Sequence, residues 1–229
     1  MDEHDPEHNI DLFVDEWGTW YDVEPGTNPG FLYQQNTMRD AIVAALSLNI
    51  FNKHSDRIAM ANIAQVVNVL QAMLLTEGSK ILKTPTYDVF RMYVPHQGAE
   101  LVESHTDETT CVENGRTVKG PAVHYNDITI PALSESVSVT EQNGQKLLTI
   151  TLANTSLRDT LSVELELPMQ YSFAGEASIA MLDGEVHAYN TFEDPDHVRA
   201  YETEEEWSGN IQTLTLPVNS VCRVNCYVC

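Results

Sequence analysis

Two carboxylates and two tryptophans stand together near the start of the chain, directly after a short apolar run. Asp15 and Glu16 follow the apolar residues 12–14, and Trp17 and Trp20 come next. An aromatic ring can lie against the C–H face of a sugar. A carboxylate beside it can act on the anomeric carbon. The alternative is an ordinary strand end whose acids are solvated and whose tryptophans lie in the core, so the rest of the chain has to decide.

Composition excludes several classes of partner. The chain has 229 residues, 42% hydrophobic and 20% charged, which is ordinary for a soluble globular protein of one or two domains. Lys and Arg number 12 against 34 Asp and Glu, a net charge of −22. Such a field repels phosphate backbones and anionic membranes, so we expect neither nucleic acid nor a membrane as partner. A neutral sugar is compatible with this charge, although acidity alone does not select sugars.

The chain shows no sign of a leader or a membrane span. Its start is acidic and has no apolar core, which argues against a signal peptide. The longest apolar stretch, 58–75, is interrupted by four amides, Asn62, Gln65, Asn68 and Gln71. Four amides argue against a span. In apolar sequence they need hydrogen-bond partners, and we favour backbone groups over the alternative, a ligand's hydroxyls.

Four cysteines are too few and too clustered for a disulfide framework, which favours a cytoplasmic protein. Cys222, Cys226 and Cys229 have the spacing of an iron–sulfur site, and Cys111 stands apart. On a terminal strand, however, Cys222 and Cys226 share one face and Cys229 points to the other. We therefore interpret them as small buried hydrophobic residues and predict no metal and no cofactor.

The first part of the chain predicts alternating strands and helices. Residues 1–10 are charged and expected to fray. A buried strand is expected just before Asp15-Glu16, followed by a Pro- and Gly-rich loop. Further predicted elements are a helix over 37–54 with a Thr37/Asp40 capping box, a strand over 58–62, a turn carrying Asn62 and Gln65, apolar helical residues, and a helix from Thr84, as cap, and Pro85 to Pro95. This order is typical of a parallel α/β arrangement.

After residue 98 the period changes to strict alternation, as in 137–140, 148–152 and 161–167. Hairpin turns are expected at Asn114-Gly115, Asn143-Gly144 and Asp183-Gly184. These patterns predict an all-β second domain, an antiparallel β-sandwich over 98–229, after a first domain over 1–97. The acidic residues of 202–206 are expected in a solvated loop, and the sequon at Asn154 is weak evidence for secretion.

The chain resembles the family 51 α-L-arabinofuranosidases in ordered segments that cover nearly its whole length. The matching segments are 15–21 (Asp-Glu-Trp-Gly-Thr-Trp-Tyr), 25–26, 32–36 (Leu-Tyr-Gln-Gln-Asn), 39–41, 60–69, 84–90 and 190–195. The resemblance implies a (β/α)8 TIM barrel followed by a β-sandwich, and release of terminal α-L-arabinofuranosyl groups from hemicellulose with retention, through two carboxylates roughly 5 Å apart.

The resemblance also implies roles for five residues. Glu16 matches the nucleophile, at the carboxyl end of a barrel strand. Gln65 matches a glutamine that hydrogen-bonds arabinose, and Trp20 an aromatic residue that borders the sugar. Trp17 and Asn62 are their near neighbours.

One departure limits the expected activity. In the family an Asn-Glu pair carries the acid/base, and no such pair occurs in these 229 residues. The chain therefore resembles the C-terminal part of such an enzyme, with the last two β/α units of the barrel. We expect little activity from it alone, and expect either homo-oligomerisation or completion by an N-terminal half.

Two other interpretations stay open. The chain is either a non-catalytic carbohydrate-binding or assembly module built on the β-sandwich, or a degenerate product that does not fold. A pure binding module has no need for Glu16 directly beside Trp17 at a strand end, which favours the enzyme.

Overall fold

The computed structural model describes residues 1–106 and 127–229. Between them it describes the backbone of three short strands, β6 (Thr110–Glu113), β7 (Arg116–Lys119) and β8 (Ala122–Tyr125). The turn predicted at Asn114-Gly115 and the side chain of Cys111 lie outside the described residues.

The first part of the chain contains the predicted order strand, helix, strand, helix, with a hairpin added. Its elements are β1 (Leu12–Trp17), α1 (Met38–Lys53), β2 (Ile58–Ile63), β3 (Leu74–Glu77), β4 (Lys80–Lys83) and α2 (Pro85–Tyr93). β1 and β2 pair in parallel. Two such strands fit the end of a (β/α)8 barrel, which itself stays a prediction.

Both helices begin with residues typical of a helix N-terminus, an Asp in the first turn of α1 and a Pro at the start of α2. The backbone N–H of Thr37 donates to the Asp40 carboxylate at 2.8 Å, so the predicted capping box at α1 is confirmed. Pro85 occupies the first turn of α2. Thr84 is the N-cap residue of α2 as predicted, but its hydroxyl does not cap the helix and donates instead to the carbonyl of Ala72 at 2.9 Å.

The helical residues predicted after Gln65 are also wrong. The chain has no helix over 64–73, and β3 and β4 then form an antiparallel hairpin in which Glu77 pairs with Lys80. Gly78 makes the turn at φ +59°, a conformation open to glycine because it has no Cβ. The turn at Gly78 therefore prevails over the helix-like apolar run before it.

The all-β character predicted for the second part is confirmed. Its fully described strands are β5 (Glu100–Val102), β9 (Ile128–Pro131), β10 (Leu133–Gln142), β11 (Gln145–Asn154), β12 (Leu161–Glu166), β13 (Phe173–Asp183), β14 (Tyr201–Gly209), β15 (Ile211–Leu216) and β16 (Ser220–Val228). Six of them form one antiparallel sheet in the order β14-β13-β16-β11-β10-β5, and β12 pairs with β15.

Alternation along the strands gives the six-stranded sheet two apolar faces. On β11, Leu148, Ile150 and Leu152 pack in the core shared with β12 and β15. Ala153 of the same strand packs in a second core with α1 and α2. The helices, the large sheet and the β12–β15 pair therefore form three successive layers. Since the helices of the first part lie on the sheet of the second, the division at residue 97 stays a prediction.

One of the two described turns forms as predicted, and the acidic segment lies on a strand rather than in a loop. Asn143 and Gly144, at φ +54° and +77°, close the β10–β11 hairpin as predicted. The hairpin predicted at Asp183-Gly184 is wrong, since β13 leads into the long loop 184–200. The acidic residues of 202–206 are exposed as predicted but lie on the edge strand β14, because cross-strand pairing with β13 fixes them there.

Asn154 is buried rather than presented as a glycosylation site. Its side-chain N–H groups donate to the carbonyls of Asp159 at 2.9 Å and Pro217 at 2.8 Å. A third carbonyl, that of Leu216, lies 3.3 Å away, so the amide tethers a loop and is closed to modification in the folded protein.

The N-terminal residues are anchored, so the predicted fraying of residues 1–10 is wrong. The Arg57 guanidinium donates to the carboxylates of Asp2 and Asp5, each at 2.6 Å. Asp5 is buried, and its hydrogen bond from Arg57 lowers the pKa of that carboxyl to about 2. Arg57, at the end of the α1–β2 turn, therefore holds the acidic N-terminal segment in place, although the charge of that segment predicted an unstructured one.

Cys222 and Cys226 on β16 are buried as predicted, whereas the same prediction is wrong for Cys229, which follows the strand. Cys222 and Cys226 are buried in the core between the sheets, and burial raises the pKa of each thiol to about 12, while Cys229 is exposed. No three His, Cys, Asp or Glu side chains come together as a metal site in the described part of the chain. In that part no helix is long and apolar enough to cross a bilayer.

Candidate active site

The carboxyl ends of β1 and β2 lie side by side. Trp17 is the register partner of Ile63, and the backbone N–H of Ala64 donates to the carbonyl of Trp17 at 2.9 Å. Parallel pairing therefore brings Glu16 and Gln65 to the same edge of the sheet, where barrel enzymes hold their chemistry.

The pairing is irregular at the two carboxylates. Val14 is opposite Ala61 and Trp17 is opposite Ile63, so Asp15 and Glu16 together face the single residue Asn62. An extra residue in one strand interrupts the ladder and redirects the side chains beside it. The predicted nucleophile thus lies at a local departure from strand geometry.

Glu16 is exposed and uncommitted. None of the described residues donates a hydrogen bond to its carboxylate or forms an ion pair with it. The acid is therefore free to meet a ligand.

Trp17 and Trp20 lie in different environments, one packed and one exposed. Trp17 stacks on Phe90 with ring centroids 6.0 Å apart and meets Phe51 edge-on at 5.3 Å, so its ring packs between α1 and α2. Trp20 is 66% exposed. The core interpretation therefore holds for Trp17, whereas Trp20 remains open to a sugar.

The four amides separate in the same way. Gln71 is fully buried and has backbone partners, as the favoured interpretation expects: it accepts from the N–H of Thr19 at 3.0 Å and donates to the carbonyl of Asp40 at 2.6 Å. Asn68 is bonded to Thr76, donating to its hydroxyl and accepting from its backbone N–H, each at 2.7 Å. Asn62 and Gln65 are exposed, and their amides have no hydrogen-bond partner within the described ranges. These two are the amides available to a ligand.

Gly18 gives the chain its turn away from β1. Its φ of +141° is strained for a residue with a side chain, and a Cβ there would lie 3.0 Å from Oε1 of Gln71. That same oxygen accepts the N–H of Thr19. The close approach of Gln71 to the backbone therefore requires glycine directly after the Glu16-Trp17 pair.

A buried polar network fixes the segment that carries Trp20. Asp40 accepts a hydrogen bond from the Thr19 hydroxyl at 2.7 Å, in addition to the one it accepts in the capping box. Gln34 accepts the N–H of Tyr21 at 2.9 Å, and the Arg39 guanidinium lies 3.7 Å from the centroid of the Tyr21 ring. Both backbone neighbours of Trp20 are thereby held in place. Sequence reasoning gave Gln34 no positioning role, because only the folded chain shows that its amide points inward.

The loop 184–200 of the second part braces this network. The N–H groups of Met38 and Arg39, at the start of α1, donate to the carbonyls of Ala188 and Val186 at 3.0 and 2.9 Å. Asn190 donates to the carbonyl of Lys83 at 2.9 Å. The loop thus supplies the partners that the free N–H groups of a helix terminus need.

A cleft of about 740 Å³ opens beside the strand ends. It is lined by the loop 27–33, by 65–69, by the hairpin residues 75–77 and by Phe192. Gln65 is the candidate residue in this lining, and Glu16 and Trp20 are outside it. Sequence reasoning missed the exposed Phe31; its signal was an aromatic residue in a loop of Pro and Gly.

Both the matching family model and the similar curated proteins are arabinofuranosidases. Residues 15–220 match the family described as the alpha-L-arabinofuranosidase C-terminal domain. An intracellular exo-alpha-L-arabinofuranosidase of Bacteroides ovatus is 38% identical over 229 residues, covering 96% of this chain and 40% of the relative.

Solved structures agree. A GH51 arabinofuranosidase from Xanthomonas axonopodis pv. citri has a TM-score of 0.81 at 36% identity, covering 99% of this chain and 43% of that one. The thermostable GH51 enzyme from Thermotoga petrophila RKU-1 has a TM-score of 0.74 at 25% identity, with coverage of 96% and 44%. The chain thus spans about two fifths of the relatives it matches. It belongs to the family of α-L-arabinofuranosidase C-terminal domains, as found in the family 51 enzymes.

Proposed function

We propose that this chain carries the nucleophile of a retaining exo-α-L-arabinofuranosidase. The observation that carries the proposal is the irregular end of β1, which presents an uncommitted Glu16 beside the exposed Gln65. Glu16 attacks the anomeric carbon of a terminal arabinofuranosyl group, and the bond to the leaving oxygen breaks as that oxygen takes a proton from the acid/base. Water then hydrolyses the glycosyl ester with net retention.

The neighbouring residues have separate tasks in this proposal. The free amide of Gln65 hydrogen-bonds the sugar hydroxyls, and the exposed Trp20 ring borders the sugar. Asn62, opposite the two carboxylates, contacts the same ligand. Trp17 positions Glu16 from below through its packing on Phe90 and does not touch the sugar.

The acid/base comes from outside this chain. We propose that β1 and β2 are the last two strands of a (β/α)8 barrel whose other strands lie in an N-terminal portion, or in a partner that completes it. Leu12, Phe13 and Met60 are 42, 54 and 42% exposed, although parallel strands in barrels are covered on both faces. By analogy with the Bacteroides ovatus relative, we place the enzyme inside the cell.

Turnover of an aryl α-L-arabinofuranoside tests this function. We expect almost none from the 229 residues alone, because general acid catalysis contributes typically 10²–10⁴-fold. The chain joined to an N-terminal barrel portion of a relative should hydrolyse the substrate, and Glu16→Gln should abolish that activity. Full activity of E16Q, or rapid turnover by the isolated chain, would show the assignment to be wrong.

A further inference from the structure

The loop 65–70 is tied at both ends to the chain that leaves β1. At its start the backbone N–H of Ala64 donates to the carbonyl of Trp17 at 2.9 Å. At its end the side chain of Gln71 accepts from the N–H of Thr19 at 3.0 Å. The two ties are seven residues apart on the loop, from 64 to 71, but only two apart on the other side, from 17 to 19. The loop therefore has to fold back on itself.

Two residues with left-handed backbone lie where the loop folds back. Asn68 has a φ of +61° and Leu70 a φ of +52°. Asparagine enters this region readily because its short polar side chain can hydrogen-bond locally, and here it bonds to Thr76. The side chain of leucine offers no such hydrogen bond, and its Cβ crowds the backbone carbonyl. Leu70 is therefore the strained residue of the loop.

Contacts on several sides hold Leu70 in this conformation. Its side chain is buried, at 5% exposed, and its N–H donates to the carbonyl of Leu32 at 3.0 Å. Leu32 is itself left-handed, with a φ of +51°. Strained residues of this kind persist only where the surrounding structure over-determines them, and they cluster at active sites and ligand clamps.

We propose that Leu70 is a positioning residue of the reaction, whose left-handed backbone closes the loop that holds Gln65 beside Glu16. The inference rests on the proposed function, in which Gln65 binds the sugar, and adds the residue that sets its position. The amide of Gln65 has no hydrogen-bond partner in the part of the chain that the structure describes. The path of its own loop therefore decides where this amide points.

Comparison of alanine with glycine at position 70 tests the strain. Both variants lose the buried leucine side chain, but only glycine adopts a positive φ without steric cost. Leu70→Gly should therefore melt about 2 °C above Leu70→Ala in the complete enzyme. Leu148 is the matched control, since it is 6% exposed and lies on the regular strand β11. There the glycine variant should melt below the alanine variant, as is usual inside a strand.

A double-mutant cycle tests whether Leu70 acts through Gln65. With Gln65 present, Leu70→Gly should lower kcat/KM for an aryl arabinofuranoside about tenfold, because the loosened loop misplaces the amide. In a Gln65→Ala background the same substitution should leave kcat/KM almost unchanged. A merely structural role would lower kcat/KM equally in both backgrounds.

Leu32 provides a second and milder pair of variants. It is half-buried, so Leu32→Gly and Leu32→Ala remove less packing, and we expect the same order of melting temperatures and the same dependence on Gln65. If glycine melts below alanine at positions 70 and 32, as at 148, or kcat/KM falls equally without Gln65, the positioning role is overturned while aryl turnover still supports the enzyme. Absence of aryl turnover in the complete enzyme overturns the proposed function itself, and the positioning role with it.

Discussion

At the scale of single residues, the site depends on which polar side chains are committed to the fold. Gln71 is fully buried and bonded at both ends of its amide, whereas Gln65, six residues earlier, is exposed and unbonded among the described residues. The two glutamines look alike in the sequence. Their different environments commit Gln71 to the fold and leave Gln65 available to a ligand.

Replacing each glutamine by alanine should separate these roles. Gln71→Ala leaves the N–H of Thr19 without its partner and removes one hydrogen bond to the carbonyl of Asp40, so we expect the free energy of unfolding to fall by about 1–3 kcal/mol. Gln65→Ala should leave stability within about 0.5 kcal/mol and lower kcat/KM of the completed enzyme. Urea denaturation and aryl arabinofuranoside kinetics measure the two effects; the reverse pattern would contradict the assignment.

Gly18 offers a second residue-scale prediction. Gly18→Ala should destabilise the chain by about 1–3 kcal/mol, because φ of +141° is strained for alanine and its Cβ would crowd Gln71. Gly30→Ala is the matched control: Gly30 does not have a positive φ, and its nearest neighbour lies 3.4 Å from the added Cβ. Equal unfolding midpoints for both variants would show that the turn after β1 tolerates a side chain.

At the scale of elements, a buried polar network joins the helices to the sheet. Oδ1 of Asn49 on α1 accepts from Tyr93 of α2 and from Ser136 and Thr151 of the sheet, at 2.7, 3.0 and 2.9 Å. His96 follows α2 and contacts the hydroxyls of Ser138 and Thr151. Partners from three elements, α1, β10 and β11, fix the position of α2, on which the packing of Trp17 depends.

His96 makes this contact sensitive to pH. Burial lowers the pKa of its imidazole from 6.5 to about 4, so the unfolded chain binds a proton more readily than the folded one between those values. The stability that neutral His96 contributes is therefore fully present above about pH 6.5 and is lost as the pH drops towards 4. Between pH 7 and 4.5 the chain should lose about 2 kcal/mol more than His96→Gln, measured by urea denaturation. Parallel pH profiles would exclude the effect.

The elements that the sequence predicted correctly are those with one dominant local signal. α1 has a capping box and a broad apolar face, and β10–β11 has strict alternation around Asn143-Gly144. The hairpin β3–β4 was missed because the apolar run before it also suits a helix. Glu16 is proposed from its local motif and the resemblance that the motif carries, whereas the packing of Gln71 and Phe192 depends on contacts between distant parts of the chain, which no local pattern reports.

At the scale of the whole molecule, one side is well packed and the other is open. α1 and α2 bury their apolar faces on the large sheet, and the loop 184–200 locks the start of α1. On β1 and β2, by contrast, the register partners Phe13 and Met60 are both exposed. An exposed apolar strand pair with unpaired edges favours association.

The isolated chain should therefore self-associate or bind a hydrophobic dye, and addition of a barrel portion that covers β1 should suppress both. Phe13→Lys should reduce self-association of the isolated chain and also prevent completion of the enzyme, because a charge would be buried. Ile211→Lys, on the exposed side of β15, is the control and should change neither. Analytical ultracentrifugation with dye fluorescence reports these outcomes; a monomeric chain that binds no dye would contradict the open-edge account.

The most direct test of the account is covalent trapping of the nucleophile. The complete enzyme, incubated with a mechanism-based arabinofuranosyl inhibitor, should form a stable glycosyl ester on one carboxylate, which peptide mass spectrometry locates. We predict that the ester is on Glu16 and that Glu16→Gln is not labelled while Asp15→Asn still is. A label on Asp15 or elsewhere in the chain, with Glu16 unmodified, would contradict the central claim.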